Sequence, residues 1–295
     1  MMNEELKKQL RNRGICVVIP TYNNDTTIKT VVEKSLLYCA DVIVVTDGCT
    51  DRTTDILEAI DGITIVSYPQ NRGKGYALKM GFRKALEMGF SYAITLDGDG
   101  QHYPEDIPLF LKANQEYPQS LIIGSRQLEG VDRSKGSSFA NKFSNFWFYV
   151  QTGRALPDTQ TGYRLYPLHR LCGLSLLTSR YEAELELLVF ASWHGVKLIP
   201  IPVQVYYPPR NERVSHFRPG KDFARISVLN TVLCFLAVVY GLPLRLWRTL
   251  MTFLRTAYSL LFFLFFTLVV FTPFVWIYTK VGKMTERRRY RLHQL

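Results

Sequence analysis

Five cysteines in 295 residues, Cys16, Cys39, Cys49, Cys172 and Cys234, stand far apart, with no CxxC pair and no metal-ligand spacing. Neither a zinc ribbon nor a disulfide scaffold is supported, and the thiols are expected to be reduced, with the globular part cytosolic. The chain has no GxxxxGK[ST] segment, and no GxGxxG follows its first apolar run. P-loop NTPases and NAD dehydrogenases therefore drop out. Residues 1–13 lack an apolar h-region, so no signal peptide is predicted there, and this polar stretch reads as a frayed helix without a chemical role. No internal repeat is present, nor any interleaved aromatic and basic motif for nucleic acid. Acid is scarce in the tail: from Ile226 onward nine Lys and Arg face one acidic residue, whereas before it the count is 27 against 24. The overall charge of +11 is thus a tail property, interleaved with apolar runs, as in chains that meet anionic lipid.

What is present is a core-forming composition, 47% apolar. Short β-branched runs at 15–19, 42–46, 63–67, 92–96 and 120–124 alternate with helical spacing at 25–39, 51–60 and 74–88. Strand and helix alternating at this rhythm predict a doubly wound, mostly parallel sheet, whose ligand sits beyond the carboxyl ends of the strands. In the tail, 256–278 is uncharged over 23 residues and long enough to span a bilayer. A second uncharged stretch, 226–244, is weakened by Asn230, Thr231, Gly241 and Pro243. The two are expected to form a hairpin across a loop holding Arg245, Arg248 and Arg255, the alternative being one span plus one interfacial helix. The expected organisation is a polar extension over 1–13, a catalytic domain over 14–222, membrane helices over 223–279 and a basic tail over 280–295.

The loops after the strands carry the chemistry. Asp97-Gly98-Asp99-Gly100-Gln101-His102 sets two carboxylates one glycine apart at a strand end, where hard oxygens hold Mg²⁺ or Mn²⁺ while substrate phosphates complete the shell. An EF-hand is ruled out: with Asp97 as position 1, position 6 is His102 and position 12 is Pro108. A turn that merely caps the next helix is the plain alternative. Asp47-Gly48-Cys49-Thr50-Asp51 offers Asp47 to a base or sugar and Asp51 as a helix cap. Asn71-Arg72-Gly73-Lys74-Gly75 offers backbone N–H groups and a cation to an anion, or simply joins strand to helix. Asp158 to Arg164 supplies an aspartate and an arginine suited to phosphate, and 210–225 is a basic strip before the membrane segment.

Taken in order, Val17-Val18-Ile19-Pro20-Thr21-Tyr22-Asn23, Asp47 to Asp51, Asn71 to Gly75, Asp97 to His102, Gly124-Ser125-Arg126, Gly162/Arg164 and Glu182 resemble the family 2 glycosyltransferases. The polyprenyl-phosphate (dolichyl-phosphate) mannose and glucose synthase branch is the nearest in pattern, over about residues 14–222. The resemblance implies a GT-A fold, a nucleotide-diphosphate sugar donor, a divalent Mg²⁺ or Mn²⁺ and inversion at the sugar carbon. It implies that Pro20, Tyr22 and Asp47 line the nucleotide pocket with Lys74 nearby. Asp99 and Gln101 would hold the metal, with Asp97 nearer the ribose or sugar. Arg126, Arg164, Arg210 and Ser215 would hold donor or acceptor phosphate, and Glu182 would sit by the acceptor. Three positions depart from the family pattern: Thr46 for the first Asp of DDGS, Asn24 for an acid, and His216 for a lysine. They bear on the donor base and the phosphate grip. The expected acceptor is a polyprenyl phosphate at the membrane, reached by a catalytic domain facing the cytoplasm. A hydroxyl acceptor would instead require Glu182 as a base. A membrane protein that binds nucleotide sugar without catalysis is the rival outside enzymes.

Overall fold

The computed structural model describes residues 2–126, 135–174, 176–206 and 219–267. Seven strands form one mixed sheet: β1 (Ile15–Thr21), β2 (Val42–Asp47), β3 (Ile63–Tyr68), β4 (Tyr92–Thr95), β5 (Leu121–Arg126), β6 (Arg164–Pro167) and β7 (Leu198–Val203). Their spatial order is β3-β2-β1-β4-β6-β5-β7. β1 pairs in parallel with both β2 and β4, and β2 with β3. Every residue of β1 and β2 is buried. That is why both read in sequence as continuous apolar runs: helices cover the two faces of a parallel sheet. β6 runs antiparallel to β4 and β5, a departure from the doubly wound expectation within a sheet that is otherwise parallel. Four residues carrying an arginine and a proline give no period from which a strand can be read.

The helices are α1 (Met2–Asn12), α2 (Ile28–Tyr38), α3 (Thr53–Glu58), α4 (Lys74–Glu87), α5 (Ile107–Glu116), α6 (Lys135–Thr152), α7 (Leu168–Leu171), α8 (Glu182–Trp193), α9 (Pro219–Leu236) and α10 (Leu242–Phe265). α2 turns its apolar stripe, Ile28, Val31 and Val32, into the core against β1 and β2. The expectation of a frayed N-terminus is corrected. Leu10 is buried in the same core, Leu6 packs against it, and Arg11 makes a two-pronged contact with Asp41 at 2.7 and 3.0 Å. A polar composition hid a two-residue apolar anchor.

The chain divides into two compact units, Met1–Leu242 and Pro243–Leu295. In the first, α9 sits against α6 through a buried amide pair, Gln151 Nε2 to Asn230 Oδ1 at 3.0 Å, with Leu229 and Leu233 buried beside it. A π-helical turn, Ala237–Gly241, follows, and Gly241 lies flat on the Trp193 ring, where a Cβ would come within 2.6 Å. In the second unit α10 has no buried side chain among those described. Residues 245–255, expected as a loop between two spans, are helical and belong to α10, and the expected span 256–278 is described only as far as 267. Three arginines in an apolar helix look like a loop to a charge count, but their neighbours Leu246, Leu250 and Leu254 keep helical spacing. Among the described residues one helix, Ala224–Phe265, is long and apolar enough to cross a membrane.

Candidate active site

The carboxyl ends of β1, β2 and β4 converge, as the switch-point rule for α/β sheets requires. Asp47 ends β2, and both its carboxylate oxygens accept backbone N–H groups, from Arg72 at 2.7 Å and Gly73 at 2.8 Å. Rather than lying open to a base or sugar, Asp47 ties the 71–73 loop to the sheet. Gly48 makes this approach possible: its φ is +66°, and any Cβ there would run into the Gln70–Asn71 peptide. Asp51 accepts from the backbone N–H of Thr53 at 3.0 Å and of Asp25 at 3.2 Å, the capping role expected of it.

α4 opens on Lys74, and this residue is the hub of the site. Its ammonium lies 2.7 Å from Asp97 Oδ1 and 2.8 Å from Glu184 Oε2. Burial works against a charged lysine, yet the two carboxylates outweigh it and hold its pKa above the ordinary value. Burial likewise works to raise Asp97, and Lys74 overrides it, keeping Asp97 ionised. The pair sits flush on Gly162, where a Cβ would lie 2.7 Å from Asp97 Oδ2 and 2.8 Å from Lys74 Nζ. The Thr95 hydroxyl fixes that glycine by donating to its carbonyl at 2.6 Å.

Asp99 differs from its neighbour. No lysine reaches it in an ion pair among the described residues; burial first, and the Asp97 charge second, push its pKa up to about 6. One of its oxygens accepts the Gln101 N–H at 3.0 Å, and the Gln101 carbonyl in turn accepts from Tyr206 N at 2.8 Å. His102 is buried, burial lowers its pKa to about 4, and its Nδ1 accepts the Asp97 N–H at 3.3 Å, so the ring is neutral at pH 7. Among the described residues no group of three or more His, Cys, Asp or Glu is arranged to hold a metal. Two aspartates one glycine apart, of which Asp99 has its pKa raised and no lysine partner among the described residues, fit a divalent ion that keeps waters and takes its remaining oxygens from phosphate. Such an ion would supply the positive charge Asp99 lacks.

The expected phosphate-binding arginines are engaged within the protein. Arg126 forms a two-pronged pair with Asp158 at 2.6 and 2.9 Å. Arg164 has no exposed surface and donates to the Glu184 and Thr159 carbonyls, each at 2.9 Å, and to the Tyr166 hydroxyl at 3.2 Å. Arg164 thus supports the segment that presents Glu184. Glu182, the first residue of α8, is 7% exposed, and its Oε2 has no hydrogen-bond partner among the described residues. Pro20 is buried in β1 and Tyr22 half-buried just beyond it. Arg210 and Ser215, with His216, lie outside the described residues.

Sequence reasoning passed over Glu184. A signal for it exists: Glu182, Glu184 and Glu186 stand in a helix otherwise made of Ala, Leu, Val, Phe, Ser and Trp, and buried acids demand partners. Glu186 finds them in Thr178, whose hydroxyl donates at 2.6 Å and N–H at 3.0 Å, and in the Leu177 N–H at 2.5 Å. Glu184 finds Lys74.

A mixed sheet of this order, with paired aspartates and a buried lysine at its strand ends, has the GT-A fold. The chain belongs to glycosyl transferase family 2, whose model matches residues 16–166. It is 28% identical over 221 residues to the UDP-N-acetylglucosamine–dolichyl-phosphate N-acetylglucosaminyltransferase of Methanococcus voltae, covering 67% of this chain and 88% of the relative. To the polyprenol monophosphomannose synthase of Mycolicibacterium smegmatis it is 29% identical over 204 residues, covering 63% and 75%. Both relatives are, by name, sugar transferases of the polyprenyl-phosphate type. Among solved structures, glucosyl-3-phosphoglycerate synthase from Mycobacterium tuberculosis, in complex with Mn²⁺, UDP and phosphoglyceric acid, superposes with a TM-score of 0.60 at 19% identity. That likeness covers 79% of this chain and 81% of the other, and shows a shared fold.

Proposed function

We propose that the protein transfers a sugar, with inversion, from a nucleotide-diphosphate sugar to a polyprenyl phosphate at the membrane, in a reaction that depends on Mg²⁺ or Mn²⁺. The observation that carries this reading is the division of labour between the two aspartates. Asp97 is neutralised by Lys74 at 2.7 Å, while Asp99 retains a raised pKa and an unmet need for positive charge. Asp99 and Gln101 would hold the metal with the donor diphosphate, and the bound ion would offset charge developing on the leaving nucleotide. Pro20 and Tyr22 would line the nucleotide pocket, and Asp47 would shape it by holding the 71–73 loop.

Inversion would follow from direct displacement of the nucleotide diphosphate by the acceptor at the sugar carbon, with Asp97 and Glu184 each held by Lys74. An acceptor phosphate is anionic at neutral pH and requires no base. The names of the relatives, and an apolar helix able to cross a membrane, support a lipid phosphate. Arg210, Ser215 and the basic strip at 210–225 would meet its head group, and with the Lys and Arg excess over 280–291 held in the cytoplasm a cytoplasmic catalytic domain would require an even number of crossings. A hydroxyl acceptor is the second reading, favoured by the unpartnered Glu182 Oε2, which would take the proton.

The test is a screen of labelled UDP- and GDP-sugars against polyprenyl phosphate with purified protein in detergent and Mn²⁺ or Mg²⁺. Label entering a lipid-extractable, mild-acid-labile product with the wild type and not with Asp99→Asn is the expected result. Donor hydrolysis without lipid transfer would move the acceptor to a hydroxyl compound, and undiminished transfer by Asp99→Asn would remove the metal.

A further inference from the structure

The Asp97–Asp99 turn rests on the loop between β1 and α2. Gly98 is buried face down on it: a Cβ there would lie 2.9 Å from the Thr21 hydroxyl oxygen and 3.2 Å from the Asn24 side-chain nitrogen. The Thr27 hydroxyl donates to the Gly98 carbonyl at 2.7 Å. Gly100, with φ +77°, stands over the other half of the same side chain, since its added Cβ would meet Thr27 Cβ and Cγ2 at 3.9 Å. Thr27 thus lies under both glycines of the Asp-Gly-Asp-Gly turn, hydrogen-bonded to the first through its hydroxyl and, together with Val31, facing the open side of the second.

The supporting loop is itself held in place. Asn24 donates its backbone N–H to the Thr53 hydroxyl at 2.9 Å and its side-chain amide to Thr21 Oγ1 at 3.0 Å. Its carbonyl accepts the N–H groups of Thr27 at 3.1 Å and Ile28 at 2.9 Å, where α2 begins. The position of Thr27 is thereby linked to α2 and α3, and the Gly98 carbonyl is drawn toward Thr27. A peptide plane fixed at one end leaves Asp99 little freedom at the other. Its Oδ1 is already committed to the Gln101 N–H, so the aim of the remaining oxygen depends on the orientation of the 98–99 peptide.

We propose that Thr27 is a positioning residue for metal binding: its hydroxyl, by fixing the Gly98 carbonyl, aims the free oxygen of Asp99 at the divalent cation. The proposal rests on the metal-dependent reading above. Partners that orient a metal-binding carboxylate without touching the ion are worth about 10- to 100-fold in metal affinity.

The test separates hydroxyl from methyl. Mn²⁺ is titrated onto the full-length protein in detergent with saturating UDP or GDP, and free Mn²⁺ is read by electron paramagnetic resonance. Thr27→Val keeps the shape and the methyl under Gly100 but loses the donor, and is expected to weaken Mn²⁺ binding by about tenfold or more. Thr27→Ser keeps the donor and is expected to stay within about threefold of the wild type, with thermal unfolding of both variants checked alongside. Equal Mn²⁺ affinity for Thr27→Val and wild type overturns the proposal while leaving the metal reading standing. Equal weakening by Thr27→Ser and Thr27→Val also overturns it, because packing and not the hydrogen bond would then set the turn. A wild-type chain that takes up no Mn²⁺ with either nucleotide overturns the metal reading and this proposal together.

Discussion

At the scale of single residues, Lys74 is the cation that two carboxylates of the site share. It is held by two carboxylates at 2.7 and 2.8 Å, with Arg164 buried nearby. Replacing one member of a buried ionic cluster leaves its partners as uncompensated charges, and removing the lysine does so twice. Lys74→Met is expected to cost about 3–5 kcal/mol of stability in denaturant unfolding and to abolish sugar transfer. Glu184→Gln, which leaves Lys74 one carboxylate, is expected to cost less. The cysteines give a residue-scale prediction with a pH sign. Burial pushes Cys39 up to about 11 and Cys16 well above the ordinary thiol value, while Cys172 is exposed. At pH 8 the Cys39 thiolate is about one part in a thousand, and its fraction grows tenfold per pH unit below that pKa. Maleimide labelling of the native protein at pH 8, mapped by mass spectrometry, is expected at Cys172 and not at Cys16 or Cys39.

At the scale of elements, α8 links chemistry to anchorage. Its first turn presents Glu184 to Lys74, and its last residue, Trp193, with the following His194, receives the π-helical turn, His194 Nε2 lying 3.1 Å from the Tyr240 hydroxyl. The Trp193 indole N–H donates to the Gln151 carbonyl at 2.9 Å, which ties α8 to α6. The amide pair of Gln151 and Asn230 then joins α6 to α9, and both side chains are almost fully buried. Truncating one partner of such a pair strands the other's polar atoms. Gln151→Ala is accordingly expected to destabilise the chain by about 1–3 kcal/mol in thermal or denaturant unfolding, with donor binding preserved. This joint was invisible in sequence. Asn230 counted there only as a flaw in an apolar run, whereas in the fold it is a matched hydrogen-bonding partner 79 positions from Gln151.

At the scale of the whole molecule, the exposed apolar surface decides behaviour. Phe253, Tyr258, Leu260 and Phe263 on α10 are each about two-thirds exposed or more, on different sides of the helix, an extent of apolar surface that soluble monomers rarely leave to water. Held by apolar contact and not by charge alone, the chain is expected to stay in the membrane fraction through both high-salt and alkaline carbonate washes. Release by salt would mark a purely electrostatic attachment, because ionic attraction is screened within about 3 Å at 1 M salt.

Much of this was legible along the chain. The strands β1 to β5, the helices α2 and α4, the capping role of Asp51, the Asp97–Asp99 turn and the apolar tail all declare themselves over a few neighbouring residues, because periodicity and turn chemistry are local; that β3 lies at the sheet edge with no residue buried does not. Contacts that join distant positions could not be read that way. The pairing of Lys74 with Glu184, the diversion of Arg126 to Asp158, the commitment of Asp47 to the 71–73 loop and the antiparallel insertion of β6 each depend on which segments the sheet order brings together. Residue types supplied the charges and the donors; only the fold determined which of them meet, because an ion pair or hydrogen bond acts over a few ångströms and takes no account of separation along the chain.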